Sequence, residues 1–150
     1  MSHQVRLLRV LAQGGLTARN DGATIAEVPP QDFFVKRILV VDDDSSVLNI
    51  LTRALTSYEL TIARDGAEAL ALANGRPIDL LITDYLMPEM TGDELIARLR
   101  EKRPSLKALM ITGHGDVLER ESPDWWRDVP HIGKPFRIQL LRDTVETLLA

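Results

Sequence analysis

From residue 36 onward, short apolar runs alternate with segments whose apolar residues recur at helical spacing. The first run, ILVV at 38–41, is uninterrupted, which is typical of a strand buried on both faces of a sheet. Strands are predicted at 38–41, 60–63, 80–83 and 107–112, with a weak fifth at 131–132. Helices are predicted between them and after the last strand, at 45–55, 66–73, 91–99, 116–121 and 136–149. This alternation predicts an α/β fold, a doubly wound five-stranded parallel sheet with helices on both faces.

Residues 1–35 differ from this pattern, because they contain the turn signals Gly-Gly, Asn-Asp-Gly and Pro-Pro. We therefore expect a flexible N-terminal leader over 1–35 and one domain over 36–150. The chain has no cysteine, which excludes disulfides and thiolate metal sites. Its formal net charge of -4 gives no basic footprint for nucleic acid, and no apolar run is long enough for a membrane span. A cytoplasmic protein without direct nucleic-acid or membrane contact is expected.

Acidic residues follow two of the predicted strands. Asp42, Asp43 and Asp44 come after the first strand, and Asp84 comes after the third. The carboxyl ends of parallel strands share one edge of the sheet, where such folds bind ligands. Clustered carboxylates repel each other and need a cation, and a set of oxygen ligands favours a hard ion such as Mg²⁺. One of the neighbouring serines, Ser45 or Ser46, is expected to cap the helix that follows.

Four segments resemble the response-regulator receiver family of two-component signalling. They are ILVVDDD at 38–44, DLLITDYLMPEMTG at 79–92, LMITG at 109–113 and KPF at 134–136. Together they cover the chain from about residue 36 to its end, in the order and strand context of that family. The resemblance implies a flavodoxin-like fold and a signalling domain rather than an enzyme with its own substrate. Its partners would be a histidine kinase or histidine phosphotransfer protein and a downstream protein that the sequence does not name.

The same resemblance implies a role for each residue at the strand ends. Asp84 would be the phosphoacceptor, and Asp43 a direct Mg²⁺ ligand, as would the Leu86 backbone carbonyl. Asp42 would bind the ion mainly through water. The positions that would contact the phosphoryl group are Thr112 and Lys134, and the bond between Lys134 and Pro135 would be cis.

The stretch 113–130 departs from the family pattern, because Pro123 and Pro130 interrupt it and leave a shortened or irregular fourth helix. Similar shortened segments occur in receivers attached to hybrid sensor kinases. His131 stands where the family usually places a switch aromatic, and two readings stay open: a rotating switch imidazole or a plain edge-strand histidine. The pair Trp125 and Trp126 is either core packing for one indole or a partner-binding spot.

Two other functions compete with this interpretation. The pattern Asp42-x-Asp44 resembles the start of a haloacid-dehalogenase-type Mg²⁺ phosphatase, which would leave Asp84 and the Met87-Pro88 pair without a role. A non-phosphorylated adapter with a receiver fold is the second alternative, and the acidic cluster disfavours it. Turnover of a generic phosphate ester would separate the phosphatase from the other two.

Overall fold

The computed structural model describes residues 35–150, so the leader predicted over 1–35 lies outside the described residues apart from its last one. Five strands are present in this part: β1 (Arg37–Val41), β2 (Glu59–Ala63), β3 (Leu80–Thr83), β4 (Lys107–Thr112) and β5 (His131–Gly133). The helices between and after them are α1 (Ser45–Ala54), α2 (Gly66–Ala73), α3 (Gly92–Lys102), α4 (Gly115–Glu121) and α5 (Ile138–Leu149). The predicted alternation of strands and helices is confirmed.

All strands pair in parallel in the order β2-β1-β3-β4-β5. This is the flavodoxin-like order, in which the direction of winding reverses beside β1. The chain runs outward from β1 to β2, returns to β3 on the other side of β1, and continues to β5. The switch point therefore lies between β1 and β3, whose carboxyl ends carry the predicted acids.

Two apolar layers enclose the sheet, as the uninterrupted run in β1 predicts. Leu39 and Val41 point into a core shared with α2 and α3, whereas Ile38 and Val40 point into a second core shared with α1 and α5. All four side chains are buried. Successive strand residues face opposite sides, so helices on both faces require an apolar residue at every position. Among the described helices, none combines the length and the apolarity that a bilayer crossing requires.

The fourth helix is short, as the prolines predict. It has 7 residues, and its C-cap, Ser122, adopts a left-handed conformation with φ of 41°. The following turn brings Trp126 under the sheet edge, where its side chain is 3% exposed. The interpretation that places one tryptophan in the core is thus confirmed for Trp126.

Candidate functional site

The register of the two central strands brings the acids to one height. Val41 of β1 pairs with Thr83 of β3, so Asp42 and Asp84 leave the sheet side by side. The Asp84 amide extends this pairing by donating to the Val41 carbonyl at 3.0 Å. The two carboxylates are consequently placed by the backbone ladder of the sheet and not by a flexible loop.

Three carboxylates form the candidate metal site. Asp42, Asp43 and Asp84 each offer an oxygen, and these atoms lie within 4.8 Å of one another. Asp42 and Asp84 are buried while Asp43 is exposed, so the cluster is open to solvent on one side. Hard oxygen donors at this spacing fit a Mg²⁺ ion that keeps part of its water shell.

The fourth acid, Asp44, has a structural role instead. Asp44 is the N-cap of α1, and its Oδ1 accepts hydrogen bonds from the Ser46 amide at 2.9 Å and the Ser46 hydroxyl at 2.5 Å. The expectation that Ser45 or Ser46 caps this helix is wrong, because the helix already begins at Ser45. A carboxylate in front of the first free amides satisfies them and suits the positive end of the helix.

Lys134 joins the two buried acids. Its Nζ donates to Asp42 Oδ2 at 2.7 Å and to Asp84 Oδ2 at 3.1 Å. Its backbone amide donates to the Thr112 carbonyl at 2.9 Å, which ties the residue to the end of β4. The bond that follows, Lys134–Pro135, is cis.

The charges at this site are not balanced by Lys134 alone. Burial by itself would lower the pKa of Lys134, but its hydrogen bond to Asp42 and the charges of both acids outweigh burial and raise it. Burial raises the pKa of Asp42 although the Lys134 hydrogen bond acts in the opposite direction. Burial thus disfavours the charged form of Asp42 even with the ammonium beside it. The cluster has three carboxylates and one ammonium, so a second cation would offset its excess negative charge.

Both carboxylate oxygens of Asp84 are held in place. Oδ1 accepts from the Tyr85 amide at 2.7 Å, and Oδ2 accepts from Lys134. The Asp84 carbonyl accepts from the Thr83 hydroxyl at 2.9 Å. Nothing in the sequence pattern singled out Thr83, because a threonine at the end of a strand is ordinary.

The remaining predicted positions surround this centre. The Thr112 side chain is buried, and its Oγ1 accepts from the His114 amide at 3.0 Å. Leu86 is 54% exposed. The roles of Thr112 and of the Leu86 carbonyl stay predictions.

His131 lies exposed at the sheet edge and stacks on Trp126, with ring centroids 3.7 Å apart. The Trp126 indole N–H donates to Glu119 Oε2 at 2.7 Å, so the ring beneath His131 is anchored to α4. Trp126 meets Trp125 edge to face, and Trp125 stacks on Tyr85, the residue after the acceptor. The sequence pointed to the tryptophan pair and to His131 separately and did not single out Tyr85, and only the fold shows that these rings are in contact. Whether His131 rotates as a switch stays a prediction.

Gly92 lets α3 pack against the backbone of the acceptor residue. It is the first residue of α3, and its amide donates to the Tyr85 carbonyl at 2.7 Å. A Cβ at this position would run into the Asp84 carbonyl oxygen and would lie 3.1 Å from the carbonyl carbon. Only glycine lets α3 approach the acceptor backbone so closely.

Comparison with known proteins places this chain in a family. The family model described as "Response regulator receiver domain" matches residues 38–146. The chain is 38% identical over 117 residues to the response regulator receiver protein CpdR of Brucella abortus, covering 77% of this chain and 98% of that protein. It is 39% identical over 117 residues to the response regulator MprA of Mycobacterium sp. (strain KMS), covering 75% of this chain but 50% of that relative.

Solved structures agree with this comparison. The chemotaxis response regulator CheY4 of Vibrio cholerae superimposes with a TM-score of 0.68 at 29% identity, covering 77% of this chain and 99% of that one. The signal receiver domain of an HD domain-containing protein from Pseudomonas fluorescens gives a TM-score of 0.69 at 30% identity, covering 77% and 94%. The chain belongs to the response regulator receiver domain family, the signalling domains of two-component systems.

Proposed function

We propose that Asp84 accepts a phosphoryl group from a histidine kinase or a histidine phosphotransfer protein, and that this event switches a partner-binding surface. The observation that carries the proposal is a cluster of three carboxylates, two of them bound to the Lys134 ammonium, at the switch point of the sheet. Such a centre holds its acceptor still and has positive charge ready for incoming phosphate oxygens. Phosphoryl transfer demands mainly positioning and neutralisation of charge.

In this mechanism one carboxylate oxygen of Asp84 attacks phosphorus, and the bond from phosphorus to the donor imidazole nitrogen breaks. The electron pair of that bond stays on the imidazole, and an acyl phosphate forms. An aspartate attacks as its carboxylate anion, which has no proton to lose, so this step needs no general base. Lys134, already within 3.1 Å of Asp84, supplies a charge-assisted donor for the phosphoryl oxygens.

Mg²⁺ would be held by Asp42, Asp43 and Asp84 with the Leu86 carbonyl, and when bound it supplies positive charge opposite the phosphoryl oxygens. The cluster fits this ion because all its side-chain ligands are oxygens and because its three carboxylates outnumber the one ammonium beside them. Asp43→Ala should weaken Mg²⁺ binding strongly in a calorimetric titration, since a direct anionic ligand is lost. Asp44→Ala is the matched control, because Asp44 caps α1 instead. Equal affinity in the two variants would contradict the assignment.

Phosphorylation is tested with acetyl phosphate and Mg²⁺, following incorporation by intact mass. Wild type should gain one acid-stable, base-labile phosphoryl group, Asp84→Asn should gain none, and Asp44→Asn should behave as wild type. Labelling of Asp84→Asn at the wild-type rate would sink the proposal. Profiling against the sensor kinases of the source organism would then identify the donor.

The switch is proposed to run through Lys134 and Thr112 to the segment 113–131. Adding beryllofluoride, a phosphoryl mimic, should change the NMR signals of this segment in wild type. Lys134→Ala should lose the response, because the charge joining phosphate to β5 is gone. Thr112→Ala should lose less, since one neutral hydrogen bond contributes about 1 kcal/mol. A full response in Lys134→Ala would contradict this route.

The competing functions are less well supported. The family assignment gives no support to a haloacid-dehalogenase-type phosphatase, and Asp44, which that reading needs, is engaged as a helix cap. A non-phosphorylated adapter would not need two buried acids paired to one lysine, which is costly to maintain. As a signalling domain of this kind, the protein is proposed to work in the cytoplasm and to assist only its own phosphorylation and dephosphorylation.

A further inference from the structure

Thr83 is a buried polar residue to which the mechanism above gives no role. It ends β3 after three aliphatic residues and is 0% exposed. A buried hydroxyl is unfavourable unless it forms a hydrogen bond, and valine would fill nearly the same volume without that requirement. The Thr83 hydroxyl does form one, to the carbonyl oxygen of Asp84 at 2.9 Å.

That carbonyl belongs to the same peptide unit as the Tyr85 amide. A peptide unit is planar and trans, so its C=O and N–H point in opposite directions and turn together. The Tyr85 N–H donates to Asp84 Oδ1 at 2.7 Å. Whatever fixes the carbonyl of Asp84 therefore also fixes the donor that holds its carboxylate.

Gly92 restricts the same peptide from the other side. The Asp84 carbonyl oxygen occupies the space where a Cβ of residue 92 would stand. The Gly92 amide also donates to the Tyr85 carbonyl at 2.7 Å, which anchors the next peptide along the chain. The Asp84–Tyr85 peptide is thus held between the Thr83 hydroxyl and the start of α3.

We infer that Thr83 is a positioning residue for phosphorylation, acting through the Asp84–Tyr85 peptide on the Asp84 carboxylate. The inference rests on the proposed role of Asp84 as phosphoacceptor. Without the hydroxyl, the peptide is less restrained and the Tyr85 N–H spends less time on Oδ1. The carboxylate then adopts the orientation required for attack less often, which lowers the rate of phosphorylation without removing any group that touches phosphate.

The test compares Thr83→Val, which keeps the shape and loses the hydroxyl, with Thr83→Ser, which keeps the hydroxyl. Thr61→Val is the matched control, since Thr61 pairs with Leu39 in mid-strand, away from the carboxyl ends. Two quantities are measured on the full chain: the rate of labelling by acetyl phosphate with Mg²⁺, and the chemical shift of the Tyr85 amide proton in the unphosphorylated protein. An amide bound to a carboxylate resonates downfield, so that shift reports the hydrogen bond itself.

Thr83→Val should label about 3- to 10-fold more slowly, the loss expected for one neutral hydrogen bond. Its Tyr85 amide proton should move upfield, while Thr83→Ser restores both quantities and Thr61→Val changes neither. A wild-type rate in Thr83→Val, or an unmoved Tyr85 amide, overturns the inference. If Thr83→Val does not fold, Thr83→Ala decides the same comparison, because it also lacks the hydroxyl and adds no atoms.

The two measurements also separate this inference from the proposed function. Failure of wild type to accept any phosphoryl group overturns both the function and a positioning role in phosphorylation. Normal labelling of wild type together with equal labelling of Thr83→Val overturns the inference alone.

Discussion

Replacing Gly92 by alanine should destabilise the domain, whereas the same change at Gly115 should not. Both glycines are the first residue of a helix, Gly92 of α3 and Gly115 of α4. Apart from its chain neighbours and the backbone of its own helix, no described atom would lie within 4 Å of a Cβ on Gly115. A Cβ on Gly92 would run into the Asp84 carbonyl oxygen and approach the methyl of Met110 to 3.1 Å. The pair therefore isolates a steric effect from the general effect of adding a side chain.

The expected magnitudes follow from these contacts. Gly115→Ala should stabilise by about 0.4–1 kcal/mol, because alanine loses less backbone entropy on folding. At Gly92 the same gain is opposed by overpacking, which costs about 1–3 kcal/mol. The Met110 methyl can move aside, but the Asp84 carbonyl is backbone held by Thr83. Because the entropy gain is common to both variants, they should differ by the overpacking cost alone, about 1–3 kcal/mol in the free energy of unfolding.

Urea denaturation of wild type and both variants in one Mg²⁺-free buffer measures this difference. The midpoint should fall for Gly92→Ala and stay or rise for Gly115→Ala, with an unchanged denaturant slope. Labelling by acetyl phosphate should also slow in Gly92→Ala, since the shifted peptide carries the acceptor. Gly92→Ala with a stability equal to that of Gly115→Ala would refute the steric argument.

Three further outcomes are expected. Trp126→Ala should lower the free energy of unfolding, measured by urea denaturation, by about 3–5 kcal/mol, because a buried indole stacked on His131 is lost. Trp125→Ala should lower it less, since Trp125 is less buried, and equal losses would contradict the packing described. Burial and the charge of Glu146 raise the pKa of Tyr58. The native state therefore holds this proton to a higher pH than the unfolded chain does. The stability linked to the proton is present below the ordinary pKa of 10.0 and is lost as the pH rises above that value. The free energy of unfolding of Tyr58→Phe should therefore rise relative to that of wild type as the pH increases past this value. A difference between the two proteins that does not change with pH would contradict this expectation. Removing residues 1–33 should leave cooperative thermal unfolding and labelling intact, because this segment is turn-rich and the apolar strand pattern begins only at residue 38, and loss of either would show that the leader is needed.

Much of the fold follows from local sequence pattern. Apolar runs of strand length alternating with helical periodicity predicted the order of elements, and the prolines around 123–130 predicted the short fourth helix. The same reasoning placed Asp42, Asp84 and Lys134 at one edge, because strand ends in a parallel sheet share that edge. The first helix cap was assigned wrongly to Ser45 or Ser46, since three consecutive aspartates do not reveal which of them faces the free amides.

Other features depend on contacts between residues distant in sequence, and only the tertiary structure decided them. The sequence by itself determined that carboxylates and an ammonium meet at a sheet edge, because the strands of a parallel sheet end at one edge and the residues that follow them are read directly from the sequence. It could not determine that Lys134 bridges two acids or that Trp126 stacks on His131. The sequence also could not predict the close approach of α3 to the Asp84 carbonyl, which requires glycine at position 92. Such contacts are made or lost by shifts in atomic position of a few tenths of an ångström. The packing of the whole domain sets these positions, and no local pattern does.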